Sequence, residues 1–143
     1  WLYVEDHVRA IELILDSDNV GECYNVGGNE EHANLDIVRL LCAGVDAAFE
    51  EHPELADRFP DAPAARGKGT ESLVSFVKDR LGHDWRYAID AAKIKADLGF
   101  EPIHDFASGL ASTIRWMLDN EAWWRAVMDG SYREWIDTQY VAR

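Results

Sequence analysis

The sequence predicts an α/β fold, rich in helix and carrying a few short strands. Three observations predict it. Apolar residues return at helical spacing in three stretches: Val4, Val8, Ile11 and Leu15; Ile37, Leu41, Val45 and Ala48; Phe106, Leu110, Ile114 and Met117. Residues 22–26 alternate weakly and end on Gly27-Gly28, the pattern of a strand leaving into a loop. Residues 78–90 form a polar, arginine-bearing turn between an apolar run at 72–77 and a helical start at Ala91.

Taken in order, residues 1–16 read as a short strand entering a helix. Ala10 and Ile14 widen its apolar stripe, and Glu5 and Asp6 fall in the first turn, where the helix dipole favours negative charge. Asp16-Ser17-Asp18-Asn19 closes it. Asn34 stands directly before a second helix running to about Phe49, in the position of an N-cap. Residues 50–70 change character, with Pro53, Pro60, Pro63, Gly67 and Gly69 among charges and alanines; they read as a surface loop or insertion. Residues 72–77 read as a buried strand or short helix. Asp90 is placed to cap a helix from Ala91 to Leu98 that ends at Gly99. Asp105 or Phe106 opens another helix through Leu118, and residues 121–128 add a last helical piece before Gly130. Trp116, Trp123, Trp124, Tyr132, Trp135 and Tyr140 crowd this end, and at helical spacing they read as packing residues.

At 143 residues the chain is long enough for one domain with a core, and no apolar run approaches a membrane span. It opens directly on Trp1-Leu2-Tyr3-Val4 without an initiator methionine, which reads as part of a longer polypeptide. Asp and Glu number 27 against 14 Lys and Arg, for a net charge of −13. A nucleic-acid surface requires the opposite sign, so nucleic-acid binding is disfavoured. So much dispersed acid, with lysine only at positions 68, 78, 93 and 95, suits a surface bathed in salt and suggests a halophilic source. Cys23 and Cys42 have no metal-ligand spacing and read as small buried thiols of a reducing cytoplasm.

The chemistry-bearing motifs are few. No Gly-x-Gly-x-x-Gly or Gly-x-x-Gly-x-x-Gly loop cradles a dinucleotide, no Tyr-x-x-x-Lys pair is present, and no P-loop or nucleophile elbow occurs. His7, His32, His52, His83 and His104 are scattered, without metal-binding spacing. His7 reads as a structural histidine beside the core stripe. Asp79, Arg80 and His83 are the best ligand candidates. A guanidinium forks onto phosphate, and Gly82 lets the backbone bring these side chains round one point.

These residues carry a resemblance. Trp1-Leu2-Tyr3-Val4-Glu5-Asp6-His7, Tyr24-Asn25-Val26-Gly27-Gly28, and Asp79-Arg80-Leu81-Gly82-His83-Asp84 with Arg86-Tyr87-Ala88-Ile89-Asp90 resemble the C-terminal part of the dTDP-glucose 4,6-dehydratases. Phe106-x-Ser108-Gly109-Leu110 with Trp116, and Asn120-Glu121 with Trp123-Trp124, are similar to that family's closing helices. The first two motifs are shared widely among extended short-chain dehydrogenase/reductases acting on nucleotide sugars; the third discriminates.

The resemblance implies that residues 1–143 are the C-terminal, substrate-binding region of a Rossmann-fold nucleotide-sugar enzyme. NAD and the catalytic Tyr-x-x-x-Lys would belong to an N-terminal domain. It implies oxidation at C4 of the glucose, loss of water across C5–C6 and return of the hydride to C6, a step of deoxysugar (for instance rhamnose) biosynthesis. Position by position, the substrate-binding residues would be Asn34, Asp79, Arg80, Leu81, Gly82, His83 and Tyr140, with no catalytic group, cofactor ligand or metal ligand in this chain. A cytoplasmic homodimer is the implied state of the whole enzyme, and the fragment alone would be inactive. Leu81 stands where the family usually has proline, and the 50–70 segment is longer than the family's. A related epimerase or decarboxylase, or a non-catalytic binding module, is the alternative.

Overall fold

The structure, a computed structural model, describes residues 1–78, 81–84, 86–128 and 130. The helices are α1 (Val4–Leu15), α2 (Asn34–Glu51), α3 (Leu55–Arg58), α4 (Ala92–Leu98), α5 (Phe106–Asp119) and α6 (Glu121–Met128), with 3-10 turns at Ala64–Arg66 and Thr70–Leu73. The chain divides into two compact units, Trp1–Ala111 and Ser112–Arg143. The expected helices form close to their expected limits. The strand expected at 22–26 does not: among the described residues there is no strand. A strand exists only through ladder bonds to a neighbour, and here residues 22–26 are tied to α4 by side chains. Lys93 Nζ donates to Glu22 Oε2 at 2.6 Å and to the Cys23 carbonyl at 3.0 Å, lies 4.8 Å from the Tyr24 ring centre, and Tyr24 donates to Asp97 at 3.3 Å.

The core of the first unit is Ala10, Ala91, Ile94 and Phe100, with Leu13, Ile14, Tyr24, Val26 and Leu98 packed against it. α1 therefore turns a different face inward from the one its strongest stripe suggests. Val4, Val8, Ile11 and Leu15 are exposed, while Ala10 and Asp6 are buried. His7 is exposed too, which corrects its reading as a histidine of the core margin.

Asp6 explains the inward face. Its side chain is 1 % exposed and accepts from the amides of Ile103 at 2.9 Å and His104 at 3.0 Å, from His104 Nδ1 at 3.1 Å, and from Arg9 at 2.7 Å. Burial on its own pushes the carboxyl pKa up; the donors from Ile103 and His104 outweigh it and hold the value below the ordinary 3.8. Arg9 also donates to the Glu101 carbonyl and lies over the Phe100 ring. This cluster fastens residues 100–104 to α1 ahead of α5.

α4 begins with Asp90 accepting the Ala92 amide at 2.9 Å and ends at Gly99, whose φ of +66° is the left-handed form expected there. α5 starts on Asp105, whose carboxylate accepts the Ser108 amide at 2.8 Å and its hydroxyl at 2.6 Å, bonds that hold its pKa below the usual range. α2 buries Ile37 and Cys42, leaving Leu40 and Leu41 exposed. After it, Leu55 of α3 is buried, Phe59 meets Phe49 at 6.4 Å, and Thr70 donates its amide and hydroxyl to Asp46 of α2. Residues 72–77 are not buried: Leu73, Phe76 and Val77 are all exposed, because no neighbouring element covers them among the described residues. Cys23 is likewise exposed, correcting the expectation of two buried thiols, whereas Cys42 is buried.

The second unit is described from Ser112 to Met128 and at Gly130. Trp116 and Trp123 meet edge-to-face at 5.2 Å, Trp124 Nε1 donates to the Met117 carbonyl at 2.8 Å, and Glu121 pairs with Arg125 at 2.6 Å. These contacts brace the α5–α6 turn, but Trp116 and Trp123 stay 43 % and 60 % exposed, so they are not packed as the sequence reading expects. Tyr132, Trp135 and Tyr140 lie outside the described residues.

Candidate functional site

A cavity of about 670 Å3 opens between two segments of the first unit. Trp1 and residues 30–34 form one wall; His83, Asp84, Arg86 and Tyr87 form the other. The first wall owes its path to Gly28. A Cβ built there would overlap the Trp1 carbonyl oxygen, so only glycine lets the chain pass so close. Beyond it Asn29 takes a positive φ of 54°, a conformation asparagine tolerates, and the chain turns toward α2. The Trp1 amino group donates to the Glu30 carbonyl at 2.8 Å. Phe106, the first residue of α5, backs this wall with its ring 4.3 Å from His32 and 6.4 Å from Trp1.

Asn34 is the first residue of α2, and Ala33 is the N-cap, with its carbonyl accepting from Asp36 and Ile37. This corrects the capping role expected of Asn34. Its side-chain amide makes no hydrogen bond among the described residues and keeps its donor and acceptor for another partner. Just before the opposite wall Gly82 has a φ of +73° and forms the expected turn, with Leu81 98 % exposed beside it. His83 lines the same cavity as Asn34. Asp79, Arg80 and Tyr140 lie outside the described residues.

Among the described residues three carboxylates border this space, and each has a partner. Glu30 meets His32 Nε2 at 2.8 Å, Tyr87 donates to Asp84 at 2.7 Å, and Arg86 grips Glu31 through Nε at 3.0 Å and through Nη2. The Asp84 acceptor raises the Tyr87 pKa, keeping that phenol protonated. Pairing limits the negative field that these acids project into the cavity, whose lining also includes the Asn34 amide and the His83 ring. Such a lining suits a polar, hydroxylated or anionic ligand. Sequence reasoning named Asn34 and His83, which line this cavity, and missed the Glu31–Arg86 pair, since no local signal links residues 55 positions apart. Among the described residues no three His, Cys, Asp or Glu side chains gather to hold a metal ion. The residues present do not fit NAD either: there is no glycine-rich phosphate loop and no Tyr-x-x-x-Lys pair.

The family model described as GDP-mannose 4,6 dehydratase matches residues 1–113. Among curated proteins, the dTDP-glucose 4,6-dehydratase of Neisseria meningitidis is 46 % identical over 133 residues, covering 93 % of this chain and 34 % of that protein. That of Salmonella typhimurium is 40 % identical over the whole chain and 36 % of its own length. In structure the chain is similar to the dTDP-glucose 4,6-dehydratase of Bacillus anthracis in complex with NAD (TM-score 0.64, 36 % identity, 87 % of this chain and 32 % of that one). It is similar also to that of Streptomyces venezuelae, solved with NAD bound (TM-score 0.65, 34 % identity, 86 % and 31 %). The chain thus spans about a third of the length of the relatives it matches. No described helix is long and apolar enough to cross a membrane. With residues 1–113 of its 143 inside the family model, the chain belongs to the GDP-mannose 4,6 dehydratase family.

Proposed function

We propose that this chain is the C-terminal, nucleotide-sugar-binding region of a dTDP-glucose 4,6-dehydratase whose N-terminal Rossmann domain binds NAD and carries the catalytic groups. The observation that carries the reading is the meeting of Asn34 and His83 on one cavity, from segments far apart in sequence, in a chain whose relatives are so named. In this reading residues 79–83 wrap the diphosphate. Arg80 forks onto its oxygens, His83 and Asn34 donate hydrogen bonds, and Tyr140 is a further substrate-binding residue. The exposed stripe Val4, Val8, Ile11 and Leu15 on α1 supports a larger parent, since a complete enzyme would cover it. Residues 50–70 act as a surface insertion bearing on specificity or an interface.

The enzyme oxidises C4 of the glucose, eliminates water across C5–C6 and returns the hydride to C6, feeding a deoxysugar route such as that to rhamnose. It works as a homodimer in the cytoplasm of a halophile. The test is product formation from dTDP-glucose by the complete polypeptide with NAD in high salt, compared with UDP-glucose and GDP-mannose. A 4-keto-6-deoxy product from the dTDP sugar, abolished by Arg80→Ala, supports the reading. An epimer or released carbon dioxide instead assigns a related epimerase or decarboxylase, and a folded, NAD-loaded protein that turns over no sugar nucleotide leaves a binding module.

A further inference from the structure

The two walls of the cavity come from segments that are tied together at their far end. Asn25 donates to the Asp90 carbonyl at 3.4 Å, and the Ile89 side chain lies where a Cβ on Gly27 would press against it. Within the cavity lining itself the tie is ionic. Arg86 places Nε and Nη2 on the same Glu31 oxygen, joining the segment that delivers Asn34, three residues after Glu31, to the segment that carries His83, three residues before Arg86. The Asp84–Tyr87 bond is internal to its own segment and does not bridge the walls. Glu31 and Arg86 are both about half exposed or more, so their attraction does little for global stability. A pair of this kind acts by geometry.

We propose that the Glu31–Arg86 pair is a clasp that sets the distance between Asn34 and His83, making both of its members positioning residues for the bound sugar nucleotide. The proposal rests on the reading of this cavity as the nucleotide-sugar site. It assigns Arg86 a role distinct from a direct phosphate contact, because its guanidinium is already committed to Glu31. The two roles make opposite predictions for Glu31. If Arg86 were a phosphate ligand held back by Glu31, neutralising the acid would free the cation, remove a negative charge and tighten binding. If the pair is a clasp, the same change loosens the site and weakens binding.

The experiment measures dTDP binding by calorimetry, and KM and kcat for the sugar nucleotide, in the complete polypeptide and in Glu31→Gln, Arg86→Gln, the double neutral variant and the charge-swapped Glu31→Arg/Arg86→Glu. The clasp predicts about threefold weaker dTDP binding in each single variant. It also predicts a double variant no worse than either single one, a swapped pair restored to within about twofold, and a KM that rises more than kcat falls. Tighter binding in Glu31→Gln, additive losses, or no recovery in the swapped variant overturns it. Hydrogen exchange of peptides covering residues 29–36 and 82–88 separates the clasp from the functional reading. Both should exchange faster in Glu31→Gln with no ligand present, and unchanged exchange overturns the clasp whatever the protein binds. A wild-type protein that binds no nucleotide while its exchange responds to Glu31→Gln overturns the functional reading and keeps the clasp.

Discussion

Replacing Asp6 with asparagine should release residues 103 and 104 from α1 while leaving the helix itself intact. The carboxylate takes both backbone amides, one on each oxygen, and receives His104 Nδ1 and Arg9 as well. A carboxamide keeps one acceptor oxygen and turns an NH2 toward the other amide, so at least one charge-assisted bond is lost. Such a bond contributes about 2 kcal/mol, roughly a thirtyfold change in a local opening equilibrium. Hydrogen exchange at the Ile103 and His104 amides reads this directly. Asp6→Asn should raise both rates about thirtyfold, with little change in the amides of α2.

The pH dependence has a definite sign. The folded carboxyl lies below its unfolded value near 3.8, so its contribution is complete above about pH 5 and is lost as pH falls through the lowered folded value. Protection of these amides should therefore decline on acidification in the wild type and be flatter in the variant. Equal exchange in the two proteins at pH 7 would refute the account of Asp6 as the fastener of this loop.

Ile94→Ala empties a fully buried position between Ala10 and Phe100 and should lower stability by about 2–5 kcal/mol, seen as a lower urea midpoint with an unchanged slope. Gly28→Ala drives a methyl group into the Trp1 carbonyl; residues 29–33 must move, and nucleotide binding should weaken more than fivefold, by about 1 kcal/mol or more, while the helical circular dichroism stays the same. In the native protein iodoacetamide should label Cys23 and spare Cys42, which is buried and whose thiol pKa is pushed up by burial and then by Glu71 and Asp46; labelling of both before denaturant would contradict the packing of α2.

What could be read in advance was local. The helices were legible because periodicity, acidic first turns and terminal glycines act within a few residues. Gly82 and Gly99 were legible for the same reason, and both have the positive φ expected of them. Long-range facts were not. The richest apolar stripe of α1 faces outward because a buried carboxylate, whose partners lie 97 and 98 residues further on, fixes which side turns in. Asn34 has the composition of an N-cap, yet the helix opens on the Ala33 carbonyl and leaves the asparagine inside the first turn. Of the candidate site, Asn34 and His83 meet as neighbours of one cavity, while the pairing that steadies its walls has no signature in either segment read alone.

The core of the first unit has a consequence for the order of events during synthesis. Among the described residues the buried partners of Ala10 are Ala91, Ile94 and Phe100, so this inward face of α1 stays unpacked until α4 and Phe100 have left the ribosome. Closing so long a loop is slow compared with forming either helix, so the face of α1 that bears Ala10 waits longest for its cover.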